Sequence, residues 1–143
     1  MSDDYRTSVH FSFWPIVILA LLWNGLGVIN YLGQMDPQVV AGMPASHQAL
    51  ILERPVWATV AFAIAVFAGT AGCLLLLFKR AIALPVFVIS FVGVIVQLLP
   101  TLTKIGSAIS HTIEIILVVL LPVVIAALLI VYSKYGKQRG WLR

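Results

Sequence analysis

Four long apolar runs dominate this chain of 143 residues. A helix needs about 20 apolar residues to cross the roughly 30 Å hydrocarbon core of a bilayer. The runs at about 13–32, 56–78, 82–102 and 113–132 each reach that length. Barrel strands also cross bilayers, but they alternate apolar and polar side chains, whereas residues 115–121 are all apolar. The sequence therefore predicts an all-α, integral membrane four-helix bundle forming a single transmembrane domain.

Composition supports a membrane location and narrows the function classes. Hydrophobic residues make up 62% of the chain and charged residues 10%, whereas soluble domains carry about 25% charged residues. The only cysteine, Cys73, excludes an intrachain disulfide and a multi-cysteine metal site. The chain also lacks a Ser–His–Asp set, carboxylates paired at a common depth and a phosphate-binding loop. We therefore expect no enzyme activity and no cofactor.

The basic residues predict an orientation. With four spans, both chain ends and the loop between the second and third spans lie on one side of the membrane. That side carries seven Lys and Arg residues and the other side two: Arg6, Lys79, Arg80, Lys134, Lys137, Arg139 and Arg143 against Arg54 and Lys104. Because Lys and Arg favour the cytoplasmic side, we expect cytoplasmic termini, a long outer loop at 33–55 and a basic cytoplasmic tail at 134–143. The orientation of the chain in the membrane then explains the net charge of +4. We expect membrane lipids as partners and no nucleic acid.

Polar side chains within the predicted spans lie mostly in the outer half of the bundle, and in lipid each is a functional candidate. Asn24 shares one helix face with Tyr31, and Ser90 shares another with Gln97. If these faces meet, they form an outward-facing polar layer. Its role is either ligand binding or interhelical hydrogen bonding, which is worth about 0.6 kcal/mol on average in membranes. The ligand-binding candidates are Asn24, Asn30, Ser90, Gln97, His111 and Glu114.

His111 and Glu114 are three residues apart, so they share a helix face at the outer end of the fourth span. This spacing suits a metal-ligand pair or a proton relay. A carboxylate also stabilises a helix start through the helix dipole, which is the alternative role for Glu114. A divalent metal needs three or four ligands, so no metal site is predicted.

Small residues form a ridge along the second span. Ala61, Ala65, Gly69 and Cys73 recur at every fourth position, with Gly72 beside them. Small side chains allow a neighbouring helix backbone to approach closely. The ridge therefore predicts a helix-packing interface, either within the chain or with another subunit.

Pro122 lies at the centre of the fourth span. A proline inside a helix removes one hydrogen bond and displaces the carbonyl four residues earlier, here that of Val118. We expect a kink, either a static bend or a hinge. The freed carbonyl needs a donor, and Asn24 lies at a matching depth.

Short segments between residues 14 and 95 form a pattern that is found in a known protein family. These segments are Trp14-Pro15, Trp23-Asn24-Gly25-Leu26-Gly27, Tyr31, Pro55-Val56-Trp57, Gly69, Gly72, Arg80, Pro85-Val86-Phe87 and Ser90. The chain resembles a group of small bacterial inner-membrane proteins with four spans, some of which carry the label sugar transporter. The resemblance implies a bacterial inner-membrane location and assigns no catalytic or binding residues.

Two functions are compatible with these features. The near-absence of charge within the spans and the small size favour a structural, accessory or oligomerising membrane module, in a homo-oligomer or a larger complex. The alternative is a subunit of a small-solute transporter or channel that works as an oligomer. The inner halves of the spans offer no polar path, which counts against conduction through one chain.

Overall fold

The computed structural model describes residues 9–106 and 112–143, and the chain is all-helical over these ranges. The helices are α1 (Phe13–Gly33), α2 (Pro37–Ala41), α3 (Ala45–Leu52), α4 (Val56–Leu77), α5 (Ala83–Leu102), α6 (Thr112–Ile115) and α7 (Leu121–Gln138), with a π-helical turn at Ile116–Leu120. Helices α1, α4, α5 and the continuous helix Thr112–Gln138 are long and apolar enough to cross a membrane. The four predicted spans are thereby confirmed as helices.

The fourth span is longer than predicted. The apolar run ends near residue 132, but α7 continues to Gln138, so much of the expected basic tail is helical. The end of an apolar run indicates where a helix leaves the hydrocarbon core of the membrane. The helix itself can extend further, because its backbone hydrogen bonds also form in water. The helix of the fourth span therefore ends at Gln138, six residues beyond the predicted boundary near residue 132.

The spans pack in the order α1, α4, α5, α7, with α4 and α5 in the middle. Small residues bring α4 and α5 together. A Cβ on Gly93 would lie 2.9 Å from the Ala61 carbonyl oxygen and 2.9 Å from the Ala65 nitrogen. The two backbones therefore touch at Gly93, as the small-residue ridge predicts.

The bundle has two different ends. We call the end with the loop 78–82 and the C-terminal residues the short-loop end, and the end with α2 and α3 the long-loop end. At the short-loop end, α1 meets α7 through Phe13, whose ring centroid is 6.3 Å from that of Tyr132 and 6.2 Å from that of Trp141. These rings close the bundle between α1 and α7.

The last residues of the chain strengthen this closure. Leu142 is buried in the same cluster. The Arg143 N–H donates to the Lys79 carbonyl (2.8 Å), and the Ala81 N–H donates to the Arg143 carbonyl (2.7 Å). We call residues 141–143 the C-terminal clasp. This pairing was not predicted, because a backbone contact with a distant loop leaves no local sequence pattern.

Large apolar side chains cover the outward faces of the spans. Leu19, Ile29, Leu128 and Val131 are each 60–66% exposed. Buried positions on α4 are mostly small residues. An apolar surface of this extent is a liability in water and suits contact with lipid chains.

Pro122 is accommodated differently from the prediction. It is the second residue of α7, and the Leu121 N–H before it donates to the carbonyl of Ile116, five residues back. A proline in the first turn of a helix has no N–H that would need a partner. In the π-helical turn before it, the hydrogen bond spans five residues and not four, and this allows the helix to continue through Pro122. Asn24 does not serve the Val118 carbonyl: its amide donates to the Ala20 carbonyl (2.9 Å) and to Cys73 Sγ (3.6 Å). The predicted Asn24–Val118 contact was wrong.

Candidate functional site

A cavity of about 550 Å³ lies between α1, α4, α5, the π-helical turn and α7, with α3 forming its wall at the long-loop end. Small-molecule sites in proteins occupy about 300–1,000 Å³. Four of the six predicted ligand-binding residues line this cavity: Asn24, Asn30, Ser90 and Gln97. The structure therefore brings the two predicted polar faces to one cavity.

Helical spacing explains why these residues meet. On α5, the lining residues Phe87, Ser90, Val94, Gln97 and Thr101 are separated by three or four positions, which places them on one face. The corresponding face of α1 carries the lining residues Asn24, Gly27, Asn30 and Gln34.

Tyr31, which the sequence analysis placed on the polar face of α1, does not line the cavity. Its ring packs on Phe62 at 5.4 Å and on Phe67 at 5.9 Å between centroids. Tyr31 therefore belongs to the packing of α1 against α4.

The deepest polar groups are already hydrogen-bonded within the protein. The Ser90 hydroxyl is buried and donates to the Ala65 carbonyl (2.6 Å). Both interactions of the Asn24 amide nitrogen are likewise internal. A Cβ on Gly69 would lie 3.0 Å from Asn24 Cγ and 3.0 Å from Ser90 Oγ. These contacts hold α1, α4 and α5 together, so Asn24 and Ser90 act in packing.

The small-residue ridge serves the same packing. Its members Ala61, Ala65, Gly69, Gly72 and Cys73 are all buried within the chain. A Cβ on Gly72 would lie 2.7 Å from the Phe87 ring. The ridge is therefore covered by this chain's own helices and is not an exposed surface for a second subunit.

Arg54 lines the cavity at its long-loop end. Its Nε donates to Thr59 Oγ1 (3.2 Å), and its guanidinium carbon lies 5.2 Å from the Phe62 ring centroid, which is a cation–π contact. Burial lowers the pKa of Arg54, but an arginine remains protonated at neutral pH. The lining residues that the structure describes include no Asp, Glu or Lys. Among them, Arg54 is therefore the residue that carries a formal charge at neutral pH.

The other polar residues at the long-loop end have unused hydrogen-bonding capacity. Gln34 donates to Asn30 Oδ1 (3.3 Å), but its own Oε1 is buried with no hydrogen-bond partner among the described residues. The Gln97 side chain forms no hydrogen bond within the same ranges, and the only side-chain hydrogen bond of His47 there is to its neighbour Ser46 (3.5 Å). A bound molecule at this end would meet several polar groups that the fold leaves available.

Towards the short-loop end the cavity becomes apolar. Its lining there includes Phe87, Ile125 and Leu129. Between the lining residues Phe87 and Thr101, α5 rises about 20 Å at about 1.5 Å per residue. The cavity is therefore elongated and amphipathic, with its charged end at Arg54.

The remaining two predicted site residues have different outcomes. Glu114 lies in the first turn of α6, where the helix-dipole interpretation places it, and does not line the cavity. His111 lies outside the residues that the structure describes. Within the described ranges, no group of three His, Cys, Asp or Glu side chains is placed to hold a metal ion.

Sequence reasoning missed the cavity residues Gln34, His47 and Arg54. It treated Arg54 only as a charge that sets orientation. The position of these residues depends on how α3, whose N-cap is Pro44, folds over the bundle, and helical periodicity within a span carries no information about that.

Comparison with known proteins leaves the site to be interpreted from its own chemistry. No family model, no curated protein and no solved structure matches the chain.

Proposed function

We propose that this chain is a bacterial inner-membrane protein that binds a small molecule in the cavity, with the long-loop end facing outwards. The observation that carries the proposal is the convergence of Asn30, Gln34, Gln97 and Arg54 on one cavity. Polar groups are costly within a bilayer unless they serve packing or function. Asn24 and Ser90 serve packing, whereas the four residues at the long-loop end can form further hydrogen bonds.

The structure offers less support for an accessory module. The small-residue ridge, one interface that such a module could use, is covered by the chain's own helices. A homo-oligomer or larger complex would have to form through the apolar outward faces, which equally suit lipid.

Transport by an oligomer is the second candidate, and one observation favours it. Pro122 and Val118, at the π-helical turn, both line the cavity, and π-helical turns occur frequently at functional sites. Conduction requires the short-loop end to open, and in this structure the cluster around Phe13 closes it. Binding without conduction is therefore the function that this geometry supports better.

A neutral single-chain probe tests binding. Trp23 lines the cavity, so a brominated alcohol, 12-bromododecan-1-ol, should quench its fluorescence when bound. In lipid nanodiscs we expect saturable quenching that disappears in Trp23→Phe. The cavity-filling variant Val118→Phe should abolish the saturable component. Its control, Val124→Phe, carries the same change on an exposed surface and should retain it.

The proposal fails if quenching of Trp23 rises in proportion to the probe in the lipid and does not saturate. It also fails if Val118→Phe and Val124→Phe behave alike, because the probe would then be detected in the bilayer and not in the cavity.

Orientation is tested separately by labelling in intact cells. Ala41 on the long loop and Gln138 at the short-loop end are both exposed. A membrane-impermeant thiol reagent should label Ala41→Cys and leave Gln138→Cys unmodified. The reverse pattern would invert the proposed orientation without affecting the cavity.

A further inference from the structure

Building on the proposed binding function, we infer that the cavity holds a single-chain amphiphile with an anionic head group. The head group lies at Arg54 and the apolar chain extends towards Phe87 and Leu129. The chemistry shared by suitable ligands is one carboxylate or phosphate on one hydrocarbon chain.

The positive charge of Arg54 indicates that the head group of the ligand is anionic. Arg54 is half-buried, and its side chain contacts Thr59 and the Phe62 ring. Neither is an anion, and Arg54 forms no salt bridge within residues 9–106 and 112–143. The neighbouring carboxylate, Glu53, pairs with Lys104 and lies outside the cavity lining. Buried charges in proteins are normally paired. A ligand anion would supply the missing counter-charge, and a guanidinium binds carboxylate or phosphate with two parallel hydrogen bonds.

The surrounding wall is suited to the same head group. His47 and Gln97 line the cavity with Arg54, and each has a nitrogen that can donate. Among the described lining residues there is no acidic side chain, so none of them carries a negative charge that would repel an anion. A cationic ligand would face Arg54 without any compensating carboxylate.

Volume and polarity determine the rest of the ligand. An apolar cavity of about 150 Å³ accommodates one benzene molecule, so 550 Å³ accommodates on the order of 20 non-hydrogen atoms. This is enough for one chain with its head group and too small for a two-chain phospholipid. Ile125 and Leu129 line the cavity and belong to the same apolar cluster as Phe87. Phe87 lies about 20 Å along α5 from Thr101, so this part of the lining suits a hydrocarbon chain.

Two probes that differ only in the head group test this inference. In nanodiscs at pH 8, Trp23 quenching compares 12-bromododecanoate with 12-bromododecan-1-ol. We expect the carboxylate to bind about tenfold or more tightly, since hydrogen bonds between charged groups are about twice as strong as neutral ones. Arg54→Gln should remove this preference, because it weakens binding of the carboxylate much more than binding of the alcohol. Arg54→Lys, which keeps the charge, should retain most of the preference.

Lys104→Gln is the matched control, because it removes a cation at the same end that does not line the cavity. It should keep the preference for the carboxylate. Acetate, which lacks the chain, should compete weakly, and competition equal to that of dodecanoate would show a site for free small anions and overturn the inference.

The outcomes separate the two levels of the account. Equal saturable affinities for carboxylate and alcohol in the unmodified protein overturn the anionic head group and leave the binding function intact. A preference that Lys104→Gln removes as fully as Arg54→Gln overturns the role of Arg54. Absence of saturable binding for both probes overturns the binding function itself.

Discussion

Replacing Gly93 by alanine should separate the two central helices. A Cβ at this position would lie 2.9 Å from the Ala61 oxygen, 2.9 Å from the Ala65 nitrogen and 3.1 Å from the Ala65 Cα. These are backbone atoms of α4, so no side chain can rotate away. Non-bonded carbon atoms normally approach to about 3.5–4.0 Å. Helix α5 must therefore move by about 0.5–1 Å.

The expected loss of stability follows from this displacement of α5. A gap of about 0.5–1 Å removes a quarter to a half of the attraction between facing atoms. Overpacking of a well-packed core costs about 1–3 kcal/mol. Because α4 and α5 form the most extensive interface of the bundle, we expect a loss of about 2–3 kcal/mol in the free energy of unfolding.

Gly25→Ala is the matched control. It makes the same chemical change within a span, but a Cβ there meets nothing within 4 Å. Any gain in helix propensity, up to about 1 kcal/mol, is common to both variants, so their difference isolates the steric effect at Gly93. The assay is reversible denaturation by dodecyl sulfate from bicelles, followed by far-ultraviolet circular dichroism. Equal stability of the two variants would refute the close backbone contact.

Three further predictions concern stability. Leu142→Ala should lower the free energy of unfolding by about 2–5 kcal/mol, and an unchanged denaturation midpoint would show that the C-terminal clasp contributes nothing. Ser90→Ala should cost about 0.6 kcal/mol through loss of the bond to Ala65 while leaving probe affinity unchanged; weaker probe binding would contradict the packing role. Lys104→Gln should change stability by less than about 1 kcal/mol, because its pair with Glu53 is exposed; a larger loss in the same assay would show a buried interaction.

Elements set by hydrophobic length were predictable from the sequence. The expected spans at 13–32, 56–78 and 82–102 match Phe13–Gly33, Val56–Leu77 and Ala83–Leu102 within one residue at each end. Membrane thickness fixes the length of an apolar run, so composition alone locates these helices. The fourth span departed from this rule at its C-terminal end, where α7 extends beyond the apolar run.

The candidate site was predictable only in part. Regular spacing placed Ser90 and Gln97 on one helix face and Asn24 on another, and these faces line the same cavity. Helical periodicity fixes the direction of a side chain within a span. It did not reveal that Asn24 bonds to Cys73 and not to Val118, because this depends on the relative height of two helices.

The charged end of the cavity was not predictable. Arg54 follows α3 and precedes α4, and it reaches the cavity because the long loop folds over the bundle. That arrangement includes the short helix α2, which starts with Asp36 accepting a hydrogen bond from the Gln38 N–H (2.9 Å). Such tertiary placement has no periodic signature in the sequence.

The most direct test of the account is whether water-soluble molecules reach the polar part of the cavity near the long-loop end while the rings around Phe13 close the short-loop end. In nanodiscs, a water-soluble thiol reagent should react with Gln97→Cys, which lines the cavity. It should not react with Ser133→Cys, which is fully buried at the short-loop end, nor with the buried native Cys73. Reaction at position 97 no faster than at position 133 would contradict the central claim.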